Sequence, residues 1–154
     1  MLKTLRDRGL KTVIYEAGND TGGTWRWNCY PGAGVDSEVP EYEFSWPEVW
    51  KTWNWTSNYP TYTDLRAYFD HVDKVLDIKK DCAFNTVVIG GHFDTDLGRW
   101  IIRTEDGRTT KAKYLILGTG FVSHTPRPCQ NLLLSLYSSF AFNYVTPDLG
   151  MKLH

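Results

Sequence analysis

Residues 22–46 read GGTWRWNCYPGAGVDSEVPEYEFSW, and this stretch decides how the rest of the chain is interpreted. Two adjacent glycines, which let backbone approach a flat ligand, lead into two tryptophans that supply large apolar walls. Asp36 follows a Pro-Gly turn and could accept hydrogen bonds from a sugar or an amide. The pattern is too irregular for a helix or a strand and favours a cofactor cradle. The alternative is an aromatic-rich loop that fills a small core.

The bulk composition is ordinary for a soluble globular protein. The 154 residues are 42% hydrophobic and 23% charged with a net charge of -1, which indicates neither a nucleic-acid nor an anionic-membrane partner. The cysteines are too few and too widely spaced for a disulfide framework or a zinc site; they are Cys29, Cys82 and Cys129. The sequence contains no secretory h-region and no bilayer-length apolar run. We therefore expect a cytoplasmic protein.

The start of the chain predicts the second half of a dinucleotide-binding unit. Residues 2–8 suit a short helix that Gly9 ends, and residues 12–16 suit a buried strand that finishes on Glu16. In βαβ nucleotide-binding units, an acid about 20 residues beyond a glycine fingerprint binds a ribose hydroxyl. Counting back places that fingerprint before Met1, and the sequence contains no GxGxxG. Glu16 is a candidate ribose ligand, with a solvated strand-end carboxylate as the alternative.

The middle of the chain predicts an aromatic loop followed by an amphipathic helix. The tryptophans of residues 47–60 fit neither helical nor strand spacing, so we expect them to pack within an ordered loop. A helix is predicted from Thr63, capped by Thr63 or Asp64. Its apolar face follows helical spacing and consists of Leu65, Phe69, Val72 and Leu76.

Residues 82–118 predict an antiparallel meander that leads into a buried strand. The meander strands are expected at residues 84–89, 100–104 and 109–113. Asp106-Gly107 is a hairpin-turn signal between the last two strands. The apolar run 114–117 is typical of a strand buried on both faces of a parallel sheet. Gly118-Thr119-Gly120 then predicts a tight turn.

The motifs from Gly22 onward resemble the N-terminal flavin-contact segment of the Baeyer–Villiger monooxygenases, the FAD- and NADPH-dependent class B flavin monooxygenases. The resemblance rests on GGTW at 22–25, a second tryptophan at 27, YPGA at 30–33 and Asp36, in that order. It implies an α/β fold, namely a partial two-dinucleotide-binding, Rossmann-like FAD domain with an inserted antiparallel β-meander. Residues 82–120 match that meander and the strand and glycine turn after it.

The resemblance also implies which residues contact the cofactors. Asp36 is the candidate catalytic residue, because its counterpart in the family orients an arginine that has no match in this sequence. The implied cofactor-binding residues are Glu16, Gly23, Thr24, Trp25, Arg26, Trp27, Gly34, Val35, Asp36, Tyr42 and Val88. Val88 is implied to meet the adenine part of FAD through its backbone. No metal ligands are expected.

Three of these residues have a plain structural alternative. Asp36 could be a turn residue after Pro31-Gly32, and Val88 could be an ordinary strand valine. Arg26 stands where the family often has an aromatic or another residue. An arginine there could stack on a neighbouring tryptophan instead.

The resemblance covers about residues 2–128, so we interpret residues 1–128 as an incomplete FAD-binding domain without the glycine strand-loop. Residues 129–154 are predicted to be a divergent tail, and the chain is expected to be truncated at both ends relative to the family. Two readings account for the tail. One is an apolar strand or helix that covers a sheet edge, and the other is a frameshifted or differently spliced end.

The implied activity is NADPH- and O2-dependent oxygenation of a ketone to an ester or lactone, with FAD as the flavin. The expected partners are a small organic ketone and O2, with no nucleic acid and no membrane. A protein partner or missing segments could complete the fold, because a parallel sheet without its central strand has unpaired edges. The alternative function is a catalytically inactive fragment that acts as a binding or regulatory module, or a remnant without function.

Overall fold

The computed structural model describes residues 1–120 and the backbone of residues 142–147 as an α/β structure. The described residues form two compact units. The sheet unit consists of Met1–Asn19 and the described residues from Asp81 onward, and the aromatic unit is Asp20–Lys80. Parallel and antiparallel strand pairs occur together, which confirms the predicted fold class. The predicted domain boundary at residue 128 lies outside the described residues.

The sheet unit is organised around one mixed sheet. Its elements are helix α1 (Leu2–Asp7) and strands β1 (Val13–Tyr15), β2 (Cys82–Ala83), β3 (Val88–Asp94), β4 (Arg99–Thr104), β5 (Thr109–Gly118) and β6 (Phe142–Pro147). The strand order is β2-β1-β6-β5-β4-β3. Strands β1 and β2 pair in parallel, whereas the other neighbouring pairs are antiparallel. Gly9 ends the α1 region with φ +72°, as predicted.

The meander differs from the prediction at its first strand. The prediction of a continuous strand over residues 84–89 is wrong, because β2 ends at Ala83 and β3 begins at Val88. Between them Asn85 has φ +51°, in the left-handed region, and this conformation breaks an extended strand. Strand β4 and the hairpin after it are confirmed, with Gly107 at φ +85°.

Strand β5 joins the two predicted segments 109–113 and 114–117 into one element. The expectation that 114–117 is buried on both faces within a parallel sheet is wrong. Tyr114 is 47% exposed and Leu117 is 44% exposed, and both neighbours of β5 are antiparallel to it. Strands with antiparallel neighbours do not require burial on both faces.

The backbone of β6 lies between β1 and β5 and pairs antiparallel with both. Residues 142–147 thus form an interior strand of the sheet. Both readings of the tail, the apolar element that covers a sheet edge and the frameshifted or differently spliced end, stay predictions. The apolar core of this unit is formed by Tyr15 of β1, Val88 of β3, Ile102 of β4 and Ala112 of β5.

The aromatic unit contains helices α2 (Thr24–Trp27), α3 (Pro47–Trp50) and α4 (Tyr62–Leu76). A 3₁₀ turn at Lys79–Asp81 contains the last two residues of this unit and Asp81, which belongs to the sheet unit. The prediction that residues 22–46 contain no helix is wrong, because α2 forms one short turn there. The predicted loop 47–60 likewise begins with α3, for which Pro47 at the first helical position is favourable.

Helix α4 begins earlier than predicted. Its N-cap is Thr61, not Thr63 or Asp64, and the hydroxyl of Thr61 accepts from the backbone N–H of Asp64. The carboxylate of Asp64 accepts in return from the Thr61 backbone N–H at 2.9 Å. This reciprocal capping box needs an acid at the third helical position. Asp64 takes that position, which places the N-cap at Thr61 and the first helical residue at Tyr62.

The predicted face of α4 is only partly the buried one. Leu65, Tyr68 and Val72 are buried along the helix, whereas Phe69 and Leu76 are half-buried. Tyr68 lies at the centre of what we call the Tyr68 cluster. Its members are Phe44, Trp46, Val49, Trp53, Trp55, Tyr68, Val72, Val75, Leu76 and Ile78. The expectation that the aromatic residues after Pro47 serve packing is confirmed for Trp53 and Trp55.

Candidate functional site

Glu16 lies directly after strand β1, and its side chain is buried with 1% exposure. Its Oε1 accepts a hydrogen bond from the Gly18 N–H at 2.7 Å. The backbone is held as well, since the Glu16 N–H donates to the Ala83 carbonyl and its own carbonyl accepts from the Thr86 N–H. The alternative of a solvated strand-end carboxylate is therefore wrong.

The environment of the Glu16 carboxyl makes ionisation costly. Burial raises the pKa of Glu16, and the hydrogen bond from Gly18 opposes this only in part. The described residues place no cation beside this carboxyl. A buried carboxylate without a cation gains most from further hydrogen-bond donors such as sugar hydroxyls.

Val88 begins strand β3 and is 5% exposed. Its side chain packs in the sheet core with Tyr15 and Ile102, so any contact with a ligand has to come from the backbone. A register shift between Val88 and Gly90 interrupts the ladder with β4. The backbone contact implied by the family resemblance is compatible with this position and stays a prediction.

The segment Gly22–Trp27, which we call the glycine-tryptophan segment, forms a turn that enters α2. Gly22 has φ +116° and Gly23 has φ +50°, which residues with side chains rarely adopt. The Trp25 N–H donates to the Gly22 carbonyl at 3.0 Å, and the Arg26 N–H donates to the Gly23 carbonyl at 2.9 Å. Within the unit Trp25 and Arg26 are half-buried, while Thr24 and Trp27 are exposed.

Residues 34–42 follow along the surface of the same unit. Gly34 forms an isolated bridge with Thr61, and the Val35 N–H donates to the Pro60 carbonyl at 3.1 Å. A Cβ on Gly34 would lie 3.3 Å from that carbonyl oxygen. The need for glycine here is therefore explained by close packing within the chain.

Two predicted site residues of the aromatic unit meet directly. The Trp25 and Tyr42 rings make an edge contact with centroids 6.4 Å apart and an interplanar angle of 72°. Asp36 is exposed, in a position compatible with both the catalytic and the turn interpretation.

Two groups beside the predicted residues were not found from the sequence. Arg66 on α4 binds Asp20 and the carbonyl of Thr21, 45 or more positions away in the chain. The buried hydroxyl of Thr21, in a residue 6% exposed, has no hydrogen-bond partner among the described residues. Neither the long-range contacts of Arg66 nor the burial of the Thr21 hydroxyl follows a local spacing rule. No sequence signal could therefore have found these two groups.

Other site classes have little support in the described part of the chain. Residues 1–120 and 142–147 contain no group of three or more His, Cys, Asp or Glu side chains arranged to hold a metal ion. Over the same residues, the structure has no helix with the length and apolar character that crossing a bilayer requires. Within the described residues, neither Cys29 nor Cys82 forms a disulfide.

No family model matches the sequence. Among curated proteins, the chain is 64% identical over 123 residues to FAD-binding monooxygenase acrE of Aspergillus aculeatus, covering 80% of this chain and 21% of the relative. Cyclopentanone 1,2-monooxygenase of a Comamonas species is 40% identical over 149 residues, which cover 97% of this chain and 27% of that protein. The second match therefore includes most of the residues after 128. The chain spans about a fifth to a quarter of the length of these relatives.

Solved structures give the same result. An oxidised steroid monooxygenase bound to NADP is 37% identical with a TM-score of 0.68, over 71% of this chain and 21% of that one. The enzyme OTEMO in complex with FAD and NADP gives a TM-score of 0.73 at 28% identity, over 82% of this chain and 24% of that chain. The relatives are thus FAD-binding and Baeyer–Villiger monooxygenases, and the family resemblance is confirmed for a segment of such proteins.

Proposed function

We propose that this chain, which is similar to a segment of the Baeyer–Villiger monooxygenases, supplies part of the FAD site of such an enzyme. The proposed reaction converts a ketone, O2, NADPH and a proton into an ester or lactone, NADP+ and water. The observation that carries the proposal is the buried carboxyl of Glu16 directly after β1. Dinucleotide ligands bind beyond the carboxyl ends of parallel strands, and β1 pairs in parallel with β2.

The residues of the sheet unit fit the ribose part of a dinucleotide. One oxygen of Glu16 is held by the Gly18 N–H, which orients the carboxyl and leaves its other oxygen as an acceptor for a ribose hydroxyl. A ribose donor would also lower the cost of ionising the buried carboxyl. The Val88 backbone, beside the interrupted ladder, is the proposed contact for adenine.

The residues of the aromatic unit fit a flat, partly polar ring system. Trp25 and Tyr42 present two rings at a steep angle, and Trp27 is 44% exposed, which leaves apolar surface for a partner. The Thr21 hydroxyl is a buried donor without a partner among the described residues. We assign Gly23, Thr24, Trp25, Arg26, Trp27 and Tyr42 to the flavin, and Gly34, Val35 and Asp36 to the approach of both cofactors.

When bound, FAD would supply the redox chemistry between NADPH and O2. The contribution of this chain is to bind and orient the cofactor and to cover its ring with apolar side chains that exclude water. Asp36 is exposed, so its carboxylate is accessible to a cationic group, and we assign it the role of orienting such a group close to the flavin.

The experiment is to incubate the purified full chain with FAD, remove unbound flavin, and then add NADPH, O2 and cyclopentanone. A retained flavin absorption band together with lactone formation supports the monooxygenase function. A retained band without lactone favours the alternative, an inactive FAD-binding module. A protein that is folded but retains no flavin would contradict both functions.

A further inference from the structure

Four charged side chains form a connected cluster in the aromatic unit. The Arg66 guanidinium lies 2.8 Å from one carboxylate oxygen of Asp20, and the Lys79 ammonium lies 2.9 Å from the other. Lys79 also reaches Asp70 at 3.2 Å. Helix α4 and the 3₁₀ turn after it thus hold the same carboxylate from two sides.

Arg66 contacts Asp20 and Thr21, which directly precede the glycine-tryptophan segment, and lies close to Gly22. Besides Asp20, its second amino group donates to the Thr21 carbonyl at 2.5 Å. A Cβ placed on Gly22 would lie 3.0 Å from that same nitrogen. The planar fork of a guanidinium can satisfy a carboxylate and a carbonyl at once, which a lysine ammonium does far less well.

The Asp20 contacts are favourable despite partial burial. Arg66 and Asp20 are only 25% and 26% exposed. Burial by itself would raise the pKa of Asp20, but hydrogen bonds from Lys79, Arg66 and the Thr21 N–H lower it to about 2. The same pairing raises the pKa of Lys79. Asp20 and Lys79 therefore stay charged across the neutral range.

The glycine-tryptophan segment depends on external anchors of this kind. Helix α2 has four residues, far fewer than an isolated helix needs for stability. Gly22 and Gly23 precede it in left-handed conformations, and glycines lose more conformational freedom on ordering than other residues. A clamp directly before Gly22 offsets that loss and fixes the direction in which α2 leaves.

We infer that Arg66 and Asp20 are positioning residues that hold the backbone of residues 20–22 on helix α4 and thereby place Trp25. The relevance of this clamp to flavin binding rests on the proposed function. The clamp itself does not, because every contact that defines it lies within the aromatic unit.

The test is hydrogen exchange of the full chain, read by mass spectrometry on peptides that cover residues 21–28 and 65–76. In Arg66→Gln we expect the amides of 21–28 to exchange about 10- to 100-fold faster, the loss corresponding to one charge-assisted hydrogen bond. The α4 peptide should keep its protection, and Arg66→Lys should restore only part of the loss. Unchanged exchange in 21–28, or an equal increase in both peptides, would overturn the clamp.

Lys80→Gln is the matched control, because Lys80 pairs with Asp77 at 2.6 Å on the exposed surface of the same unit. This variant should leave the 21–28 peptide unchanged. If Lys80→Gln raised the exchange rate of the 21–28 peptide as much as Arg66→Gln does, this would also count against the clamp, because it would show a general effect of removing a positive charge.

A second readout separates positioning from stability. If the wild-type chain binds FAD, Arg66→Gln should weaken FAD more than Val72→Ala, which loosens the Tyr68 cluster without touching residues 20–27. Equal weakening at equal loss of stability would contradict a positioning role in the site. If the wild-type chain binds no FAD, the proposed function fails, and hydrogen exchange alone decides whether the clamp exists.

Discussion

The aromatic unit places tryptophans in two different settings. In the Tyr68 cluster, Trp53 and Trp55 are half-buried and pack on Tyr68, which is 1% exposed, with ring centroids 5.6 and 4.7 Å away. In the glycine-tryptophan segment, Trp25 is also half-buried and makes an edge contact with Tyr42, while Trp27 is 44% exposed. A ring that packs within a cluster contributes to stability, whereas a ring left largely in solvent is accessible to a ligand.

Polar groups do not separate the two regions. Within the cluster, the Tyr68 hydroxyl accepts from the Phe44 N–H at 2.7 Å, and the Trp55 indole N–H donates to Glu43 at 2.7 Å. One buried group in each region has no hydrogen-bond partner among the described residues: the Trp53 indole N–H in the cluster and the Thr21 hydroxyl beside the glycine-tryptophan segment. The packing of the rings therefore carries the comparison: the Tyr68 cluster stabilises the unit, and we propose that residues 22–27 serve a ligand.

The largest difference is expected from Tyr68→Ala. Removing a ring that is 1% exposed leaves a cavity and an unpaired Phe44 N–H, which should lower the free energy of unfolding by about 3–5 kcal/mol. Urea unfolding followed by circular dichroism measures the change. Trp27→Ala, at the exposed position, should cost less than about 1 kcal/mol. Equal losses in both variants would remove the distinction between the two regions.

An acid titration tests the clamp beside the ligand region. The pKa of Asp20 is about 2 in the folded chain against 3.8 for an unperturbed aspartate. Its stabilising contribution is therefore present above pH 3.8 and is lost as the pH falls towards 2. Thermal unfolding between pH 2 and 5 should show a steeper loss for the wild type than for Asp20→Asn. Parallel curves for the two proteins would contradict the assigned role of this carboxylate.

The smallest change in stability, with a selective change in binding, is expected from Trp25→Ala. Loss of one aromatic contact is worth about 0.5–1.5 kcal/mol, so FAD should bind about 2- to 12-fold more weakly. Trp50→Ala is the control, because Trp50 likewise lies on a four-residue helix, at 43% exposure, outside the predicted site residues. Quenching of FAD fluorescence measures both affinities. Equal weakening in both variants would show that Trp25 has no special contact.

The sequence predicted those elements whose signal is local. Gly9, the Asp106-Gly107 hairpin and the apolar spacing of α4 were read from neighbouring residues, and the structure contains all three features. For Glu16 the sequence allows either a ribose ligand or a solvated strand-end carboxylate, and the 1% exposure in the structure excludes the second.

The errors arose where a distant contact decides the structure. Helical spacing alone does not predict that Tyr68 is buried on α4, because its burial depends on aromatic residues from another part of the chain. The gap between β2 and β3 follows from Asn85 and Thr86, whose backbone N–H groups bond to Gly18 and Glu16. The Arg66 clamp spans 46 positions to Asp20. Such contacts leave no periodic trace in the sequence.

The central claim is that this chain binds FAD through the buried carboxyl of Glu16. The direct measurement is a fluorescence titration of FAD into the full chain and into Glu16→Gln, with the exposed Glu105→Gln as control. We predict that the wild type and the control bind alike, while Glu16→Gln binds about 10- to 150-fold more weakly through loss of a charge-assisted hydrogen bond.

Stability should change in the opposite direction in the same variant. Because burial raises the pKa of Glu16, its ionisation destabilises the fold as the pH rises through that pKa, so Glu16→Gln should unfold at a higher temperature at pH 7. Weaker FAD binding by a more stable protein is the result that the account predicts. Equal FAD affinity of the wild type and Glu16→Gln, or no binding by a folded wild type, would contradict it.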